Sequence, residues 1–474
     1  MSLVLFRQTR PKYGRALRVF VVVLVLGIAG ALVCGAYLFS RMGPIGTAYA
    51  AKILCSGVFV SGRAADVVIR EDIIADNHPL IRFISANVDR ERNVASASFL
   101  GMMRREAAFR PGLGCTLAIG VSPDHLAPLE GDATTVASED DLPVVPASAG
   151  VNAARLNAAL DWAFSEPDPD RLRRTRAVVI MHDGRVVAER YAAGFSDDMP
   201  MLGWSMAKCV TGALIGVLVQ DAKLATDSKA LLPQWRDAGD ARAGISLDNL
   251  LRMSSGLHFG EHYQDPVDDV LVMLFAKGDA ASFAADKPLE APPGTHFQYS
   301  SGTTNILARV IRDALDGSEQ DYLKFPRRAL FDRIGMRHAV IESDASGGLV
   351  GSSFMYASPR DWARFGEFLR QDGSWYGERI LPPGWVRYMA TLTTQSTHRN
   401  FGAHLWVKVP PPFNSIALVP PVLPEAYHAV GYEGQFVSVI PSRNLVVVRL
   451  GLSRRDHSWD QEEFLSRILE AFPG

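Results

Sequence analysis

The chain has 474 residues with a formal net charge of −2, 48% hydrophobic and 21% charged residues. That length supports two or three domains with buried cores. Near-neutral charge, with no basic stripe interleaved with aromatics, excludes a nucleic-acid partner.

The first apolar feature is Val19 to Phe39, which contains no charge and lies between Arg18 and Arg41. As a helix it would reach about 30 Å, the thickness of a bilayer core. Arg7, Arg10, Lys12, Arg15 and Arg18 crowd its N-terminal side. The sequence therefore predicts a cytoplasmic basic tail (1–18) and a single-pass inner-membrane anchor (19–39), with the remainder periplasmic. A cleaved signal peptide is the rival reading, but the run exceeds the usual apolar region of roughly 7–15 residues.

Cysteine usage fits an oxidising compartment. Cys34 falls in the apolar run and Cys209 in a later one, leaving Cys55 and Cys115 as partners for a disulfide, with two unrelated buried thiols as the alternative. Residues 40–121 read as a small β-rich domain, with strand-like stretches at Gly57–Val60 and Thr116–Ile119. Residues 122–150 are rich in Pro, Asp, Ser and Ala without periodicity, which describes a linker.

From 151 to 474 the texture becomes that of one α+β domain. Arg155–Phe164 is helical. Ala177–Met181 and Arg185–Tyr191 are strands joined through Asp183-Gly184, a hairpin signal. Helices follow near Thr304–Leu315 and Pro359–Gln371, strands at Gln435–Ile440 and Leu445–Leu450, and a closing helix at Glu462–Ala471. Strands at both ends with helices between predict a sheet assembled from distant parts of the chain.

Within this domain, GWSMAKCVTGALIGVLVQ (203–220) places Ser205 and Lys208 three residues apart in an otherwise apolar run. On a helix these positions share a face. A serine hydroxyl needs a base before it attacks, and a lysine serves only when neutral. Lowering its pKa from about 10.4 to near 7 requires roughly 4–5 kcal/mol, an effect that burial supplies. The apolar setting is then a requirement of the chemistry.

Two further stretches accompany the pair: HFQYSSGTTNILARVI, with Tyr299 just ahead of a helix, and YHAVGYEGQFVSVIPSRNLVVVRLG, a Gly-rich turn entering a strand pair. In this order they resemble the serine β-lactamase and penicillin-binding-protein superfamily, whose motif trio opens with S-x-x-K. ISLDNLLRMSSGL and MYASPRDWARFGEFLRQDGSWYGERILPPGWV resemble its connecting segments. The second motif is Tyr299-Ser300-Ser301, with serine where the class C enzymes carry asparagine. The third aligns with Ala429-Val430-Gly431 and lacks the family's cation, with His428 one residue early. This pattern is closest to the class C-type esterases and 6-aminohexanoate-dimer hydrolases.

The resemblance implies a β-lactamase/transpeptidase-like domain that forms an acyl-enzyme on Ser205, with Lys208 and Tyr299 as general base and acid. The substrate would be a small-molecule amide or ester, and no cofactor is called for. Backbone N–H groups of Ser205 and Tyr432 would hold the oxyanion. Tyr263, Ser301, Gly431 and His428 would contact substrate. A membrane-tethered, non-catalytic sensor of cell-wall fragments is the alternative. His258, Glu261 and His262 also match the H-x-x-E-H zinc-peptidase pattern, but Gly260 and the flanking turn residues describe a loop, where the two histidines would not share a helix face. The Pro-rich stretch 409–424 is expected to wall the cleft, or else to be a surface insertion.

Overall fold

The computed structural model describes residues 13–126, 142, 144–145, 151–315, 317–411 and 425–472. The first twelve residues, most of the expected linker, and residues 412–424 of the Pro-rich stretch lie outside them.

The first element corrects the sequence reading. Residues 19–39 are not a separate span but the opening of one 47-residue helix, α1 (Tyr13–Phe59). That helix continues past Phe39 and buries Ile45, Ala48, Ile53, Leu54 and Val58 inside the protein. Among the described residues, no helix is long and apolar enough to cross a membrane. The expected inner-membrane anchor, the membrane partner and the periplasmic placement that depended on them are therefore not supported. Of Gly57–Val60, expected as a strand, Gly57–Phe59 close α1 and Val60 begins the turn that follows. β-branched valines favour strands, but Val58 packs in the core as part of the helix.

After α1 comes an antiparallel meander of four strands: β1 (Ile84–Asp89), β2 (Val94–Phe99), β3 (Met102–Arg110) and β4 (Gly114–Leu117). Cys55 of α1 and Cys115 of β4 form a disulfide, both fully buried. This unit is fastened to the rest of the chain by Glu342. Its carboxylate contacts Lys52 Nζ and accepts from Ser56 Oγ (2.8 Å) and the Cys115 N–H (2.6 Å). Gly114 makes room for it. With φ at 70°, its backbone favours glycine, and a Cβ there would lie 2.6 Å from Glu342 Cγ.

The larger part is built on a five-stranded antiparallel sheet. After α2 (Ala153–Phe164) come β5 (Thr175–His182) and β6 (Arg185–Tyr191), then α3 (Met206–Gln220), α4 (Asp269–Ala276), α5 (Ser301–Ala314) and α6 (Pro359–Arg370). The chain returns through β7 (Tyr427–Gly431), β8 (Gln435–Ile440) and β9 (Leu445–Gly451), and closes with α7 (Gln461–Leu469). The sheet order is β7-β8-β9-β5-β6, so its first and last sequence segments meet at the β9–β5 pairing.

Alternation along the strands divides two cores. Val178, Ile180, Phe436 and Val447 face α2 and α7, whereas Val179, Val437, Val446 and Val448 face the larger core that holds α3 and α6. The result is an α+β sandwich with α3 on the inner side of the sheet, near the end of β7.

Candidate active site

Ser205 sits at the N-terminal end of α3, one residue before its first turn. A serine in that position ordinarily caps its helix through its side chain. Ser205 makes no such bond, and its hydroxyl turns to Lys208, whose Nζ lies 2.9 Å away. The preceding residue, Trp204, adopts φ 47°, a left-handed conformation unfavourable for a bulky side chain. Its indole N–H is tied to Glu433 Oε2 at 3.0 Å, which holds that turn in place.

Lys208 is 2% exposed. Its amine donates to Ser205 Oγ, to Ser301 Oγ (2.9 Å) and to the Ser352 carbonyl (3.0 Å), and lies 4.9 Å from the centre of the Tyr299 ring. All three acceptors are uncharged. Burial therefore dominates and lowers the lysine to about 8, with the nearby Glu261 carboxylate opposing.

The second motif divides its labour. Ser300 caps α5 by accepting from the Thr303 N–H (3.0 Å), which leaves Ser301 free to face inward. Ser301 joins Lys208 to Glu261, whose carboxylate accepts from the Ser301 N–H (2.8 Å), from its hydroxyl (2.5 Å) and from the Tyr263 hydroxyl (3.2 Å). Burial raises the Glu261 carboxyl, and Lys208 opposes that shift. Tyr299 packs against Phe401 and Trp406, with the Ser205 side chain near enough to its hydroxyl to lower the phenol's pKa slightly. Burial first, then Glu261, push this phenol far above its ordinary range, so it stays protonated and uncharged.

The third motif reaches the Ser205 turn through its backbone. A Cβ on Gly431 would fall 2.1 Å from the Gly203 carbonyl oxygen, so glycine lets the end of β7 press against the residue two before Ser205. Tyr432 follows, stacked on Tyr263 with ring centres 4.8 Å apart and edge-on to Trp204. Among the described residues, the N–H groups of Ser205 and Tyr432 donate to no backbone carbonyl.

Ser205, Lys208, Tyr299, Ser301, Tyr263, Gly431 and Tyr432 are thus brought together. His428 is not. It lies on the opposite face of the sheet, bonded through Nδ1 to Ser438 Oγ (2.8 Å), and burial lowers it to about 4. The zinc-like trio also diverges: His258 pairs with Glu290, His262 with Asp268, and Glu261 with Ser301.

Sequence reasoning missed three contributors. The local pattern around Glu261 points only to a metal site, and its partner Ser301 lies 40 positions away. The Ser352 carbonyl has no side-chain signature. His404, fully buried between the Leu251 carbonyl and Thr304 beneath α3, stands alone in its segment.

The beta-lactamase family model matches residues 163–467. A 6-aminohexanoate-dimer hydrolase of Paenarthrobacter ureafaciens is 27% identical over 224 residues, 45% of this chain and 56% of that protein, so the match spans little more than half of the relative's length. A Bacillus anthracis structure provisionally assigned as a 6-aminohexanoate-dimer hydrolase superposes with a TM-score of 0.53 at 21% identity, covering 70% of this chain and 89% of its own. A hydrolase with promiscuous acyltransferase activity gives 0.51 at 17% identity, over 68% and 98%. At these identities the structural matches establish the fold.

Proposed function

The chain belongs to the beta-lactamase family, and we propose that it is a serine hydrolase that cleaves an amide or ester bond through an acyl-enzyme on Ser205. The observation that carries this reading is the Lys208 amine, buried and lowered to about 8, at 2.9 Å from the Ser205 hydroxyl.

In its neutral form the amine accepts the proton that Ser205 loses as Oγ bonds to the substrate's acyl carbon. The carbonyl oxygen becomes an oxyanion, held by the N–H groups of Ser205 and Tyr432, each worth roughly 3–4 kcal/mol by analogy with measured oxyanion donors. Tyr299 carries a proton to the leaving nitrogen or oxygen as its bond to the acyl carbon breaks, and is reprotonated from Lys208. Water, deprotonated along the same path, then attacks the acyl carbon, releasing the acid and restoring Ser205.

Ser301 and Glu261 fix the amine's position. Tyr263, beside the site, is placed to contact the leaving group. The absence of a cation on the inner face of β7, with His428 turned to the other side, favours uncharged linear amides and esters over substrates that present a carboxylate beside the scissile bond.

Turnover of p-nitrophenyl acetate and of a linear anilide tests the reading. Both activities are expected to vanish in Ser205→Ala and in Lys208→Ala, with folding retained by circular dichroism. Equal turnover in either variant would overturn the assignment.

A further inference from the structure

Beside the nucleophile turn lies a cavity of about 470 Å³. One wall belongs to the hydrolase part: Trp204, Tyr263 and Tyr432 at the catalytic end, then Leu271 and Phe275 of α4. The other comes from outside residues 163–467, with Phe39 and Ile45 of α1, Ile84 of β1 and Phe99 of β2. The N-terminal unit is therefore half of the chamber that Trp204, next to Ser205, helps to line. Its attachment there is firm: Tyr49 of α1 packs edge-on to Phe275 at 5.6 Å, and Lys52 and Glu342 lock the two parts beneath.

The charges in this lining are already committed. Glu433 pairs with Arg454 at 2.6 Å, and Asp76 pairs with Arg174 at 2.6 Å. Arg454 also donates to the Asp72 and Ala75 carbonyls and to the Tyr49 hydroxyl. An anionic or cationic tail would find no counter-charge here and would lose its hydration. An uncharged hydrocarbon would lose nothing and would gain from burial. The volume lies within the range of small-molecule sites, roughly 300–1,000 Å³.

Resting on the acyl-enzyme reading above, we infer that the cavity between the N-terminal unit and the hydrolase part binds an unbranched, uncharged aliphatic chain of the substrate. The N-terminal unit is then a specificity module, and the substrate is an ester or amide with a hydrocarbon tail. The chain occupies the space between Phe39, Ile84 and Leu271 while the carbonyl reaches Ser205 past the Tyr263–Tyr432 stack.

Two ester series test this on the full chain: p-nitrophenyl alkanoates from acetate to octanoate, with the chain in the acyl half, and n-alkyl acetates, with the chain in the leaving half. A buried methylene contributes up to about fourfold. In at least one series kcat/KM should therefore rise by at least about 50-fold over six methylenes, allowing for incomplete burial. Leu271→Trp and Ile84→Trp, filling the cavity from its two walls, should each cut the long-to-short ratio at least tenfold; either one that folds suffices. Octan-1-ol should bind Ser205→Ala protein saturably by calorimetry, and more weakly once the cavity is filled. Flat profiles in both series, with acetate hydrolysed normally, would overturn the cavity assignment and leave the acyl-enzyme reading standing. Saturable octanol binding without turnover of any ester would overturn the reaction and leave the cavity.

Discussion

Among the described residues, two buried serine–lysine pairs stand on helices of this protein, and their surroundings differ in the way the proposed chemistry requires. In α1, Lys52 reaches Ser56 at 3.1 Å, much as Lys208 reaches Ser205 at 2.9 Å in α3. Both lysines are almost wholly excluded from water, and burial lowers the pKa of both. They differ in their partners. Lys52 lies against the Glu342 carboxylate, and Ser56 donates a hydrogen bond to the same carboxylate, so both are consumed in fastening two parts of the fold. Lys208 meets two hydroxyls and a carbonyl, with its carboxylate, Glu261, held one serine away. Burial lowers both lysines, but only Lys208 has no carboxylate in contact to occupy its amine, which is what the proposed base needs.

The largest expected effect separates the two serines. Ser205→Ala should lower kcat/KM by at least about 10⁴-fold, as removal of a nucleophile does in other serine hydrolases. Ser56→Ala should leave it within about threefold, since that hydroxyl is fully buried and its loss is a stability effect of about 1 kcal/mol. Next, Lys52→Met leaves Glu342 buried without its cation and should cost about 3–5 kcal/mol of stability, read as a lower urea midpoint.

Lys208→Met should behave oppositely in stability while abolishing turnover. The lysine is lowered to about 8 when folded, against an ordinary 10.5. Below pH 8 both folded and unfolded chains hold the proton, and the fold carries the full penalty of a buried charge, at most about 3 kcal/mol before lost hydrogen bonds are counted. Between about pH 8 and 10.5 the unfolded chain binds more protons, so wild-type stability rises with pH through that window. Stability curves of the two proteins should converge there; parallel curves would mean the lysine is not strained. Activity should follow the same group, with kcat/KM climbing toward a plateau above about pH 8.

The smallest effect sharpens the role of Glu261. Its charge holds the Lys208 pKa up, so Glu261→Gln should move the rising limb of the pH–rate profile to lower pH, with a modest change in plateau. A limb displaced upward would show that the carboxylate acts otherwise.

The sequence made local chemistry legible and long-range partnership much less so. Ser205, Lys208 and Tyr299 could be singled out because spacing and an apolar context carry the argument within a few residues. The hairpin at Asp183-Gly184 and the strand pair at the C-terminus were readable for the same reason. Glu261 was not, because its meaning depends on Ser301 across a turn and on Lys208 beyond it. His428 failed for a geometric reason, since strand neighbours face opposite ways and its side was taken by Ser438. The apolar run at 19–39 misled because periodicity does not reveal where a helix ends, and α1 continues for a further 20 residues into the core. Nor could composition show that α1 would help enclose a cavity beside a serine so distant in sequence.

The most direct test of the central claim is intact mass after exposure to a serine-reactive fluorophosphonate, on wild type, Ser205→Ala and Ser56→Ala. A lysine-activated Ser205 predicts one adduct in wild type and in Ser56→Ala, and none in Ser205→Ala. An adduct that survives in Ser205→Ala, or its absence from folded wild-type protein, would contradict the account.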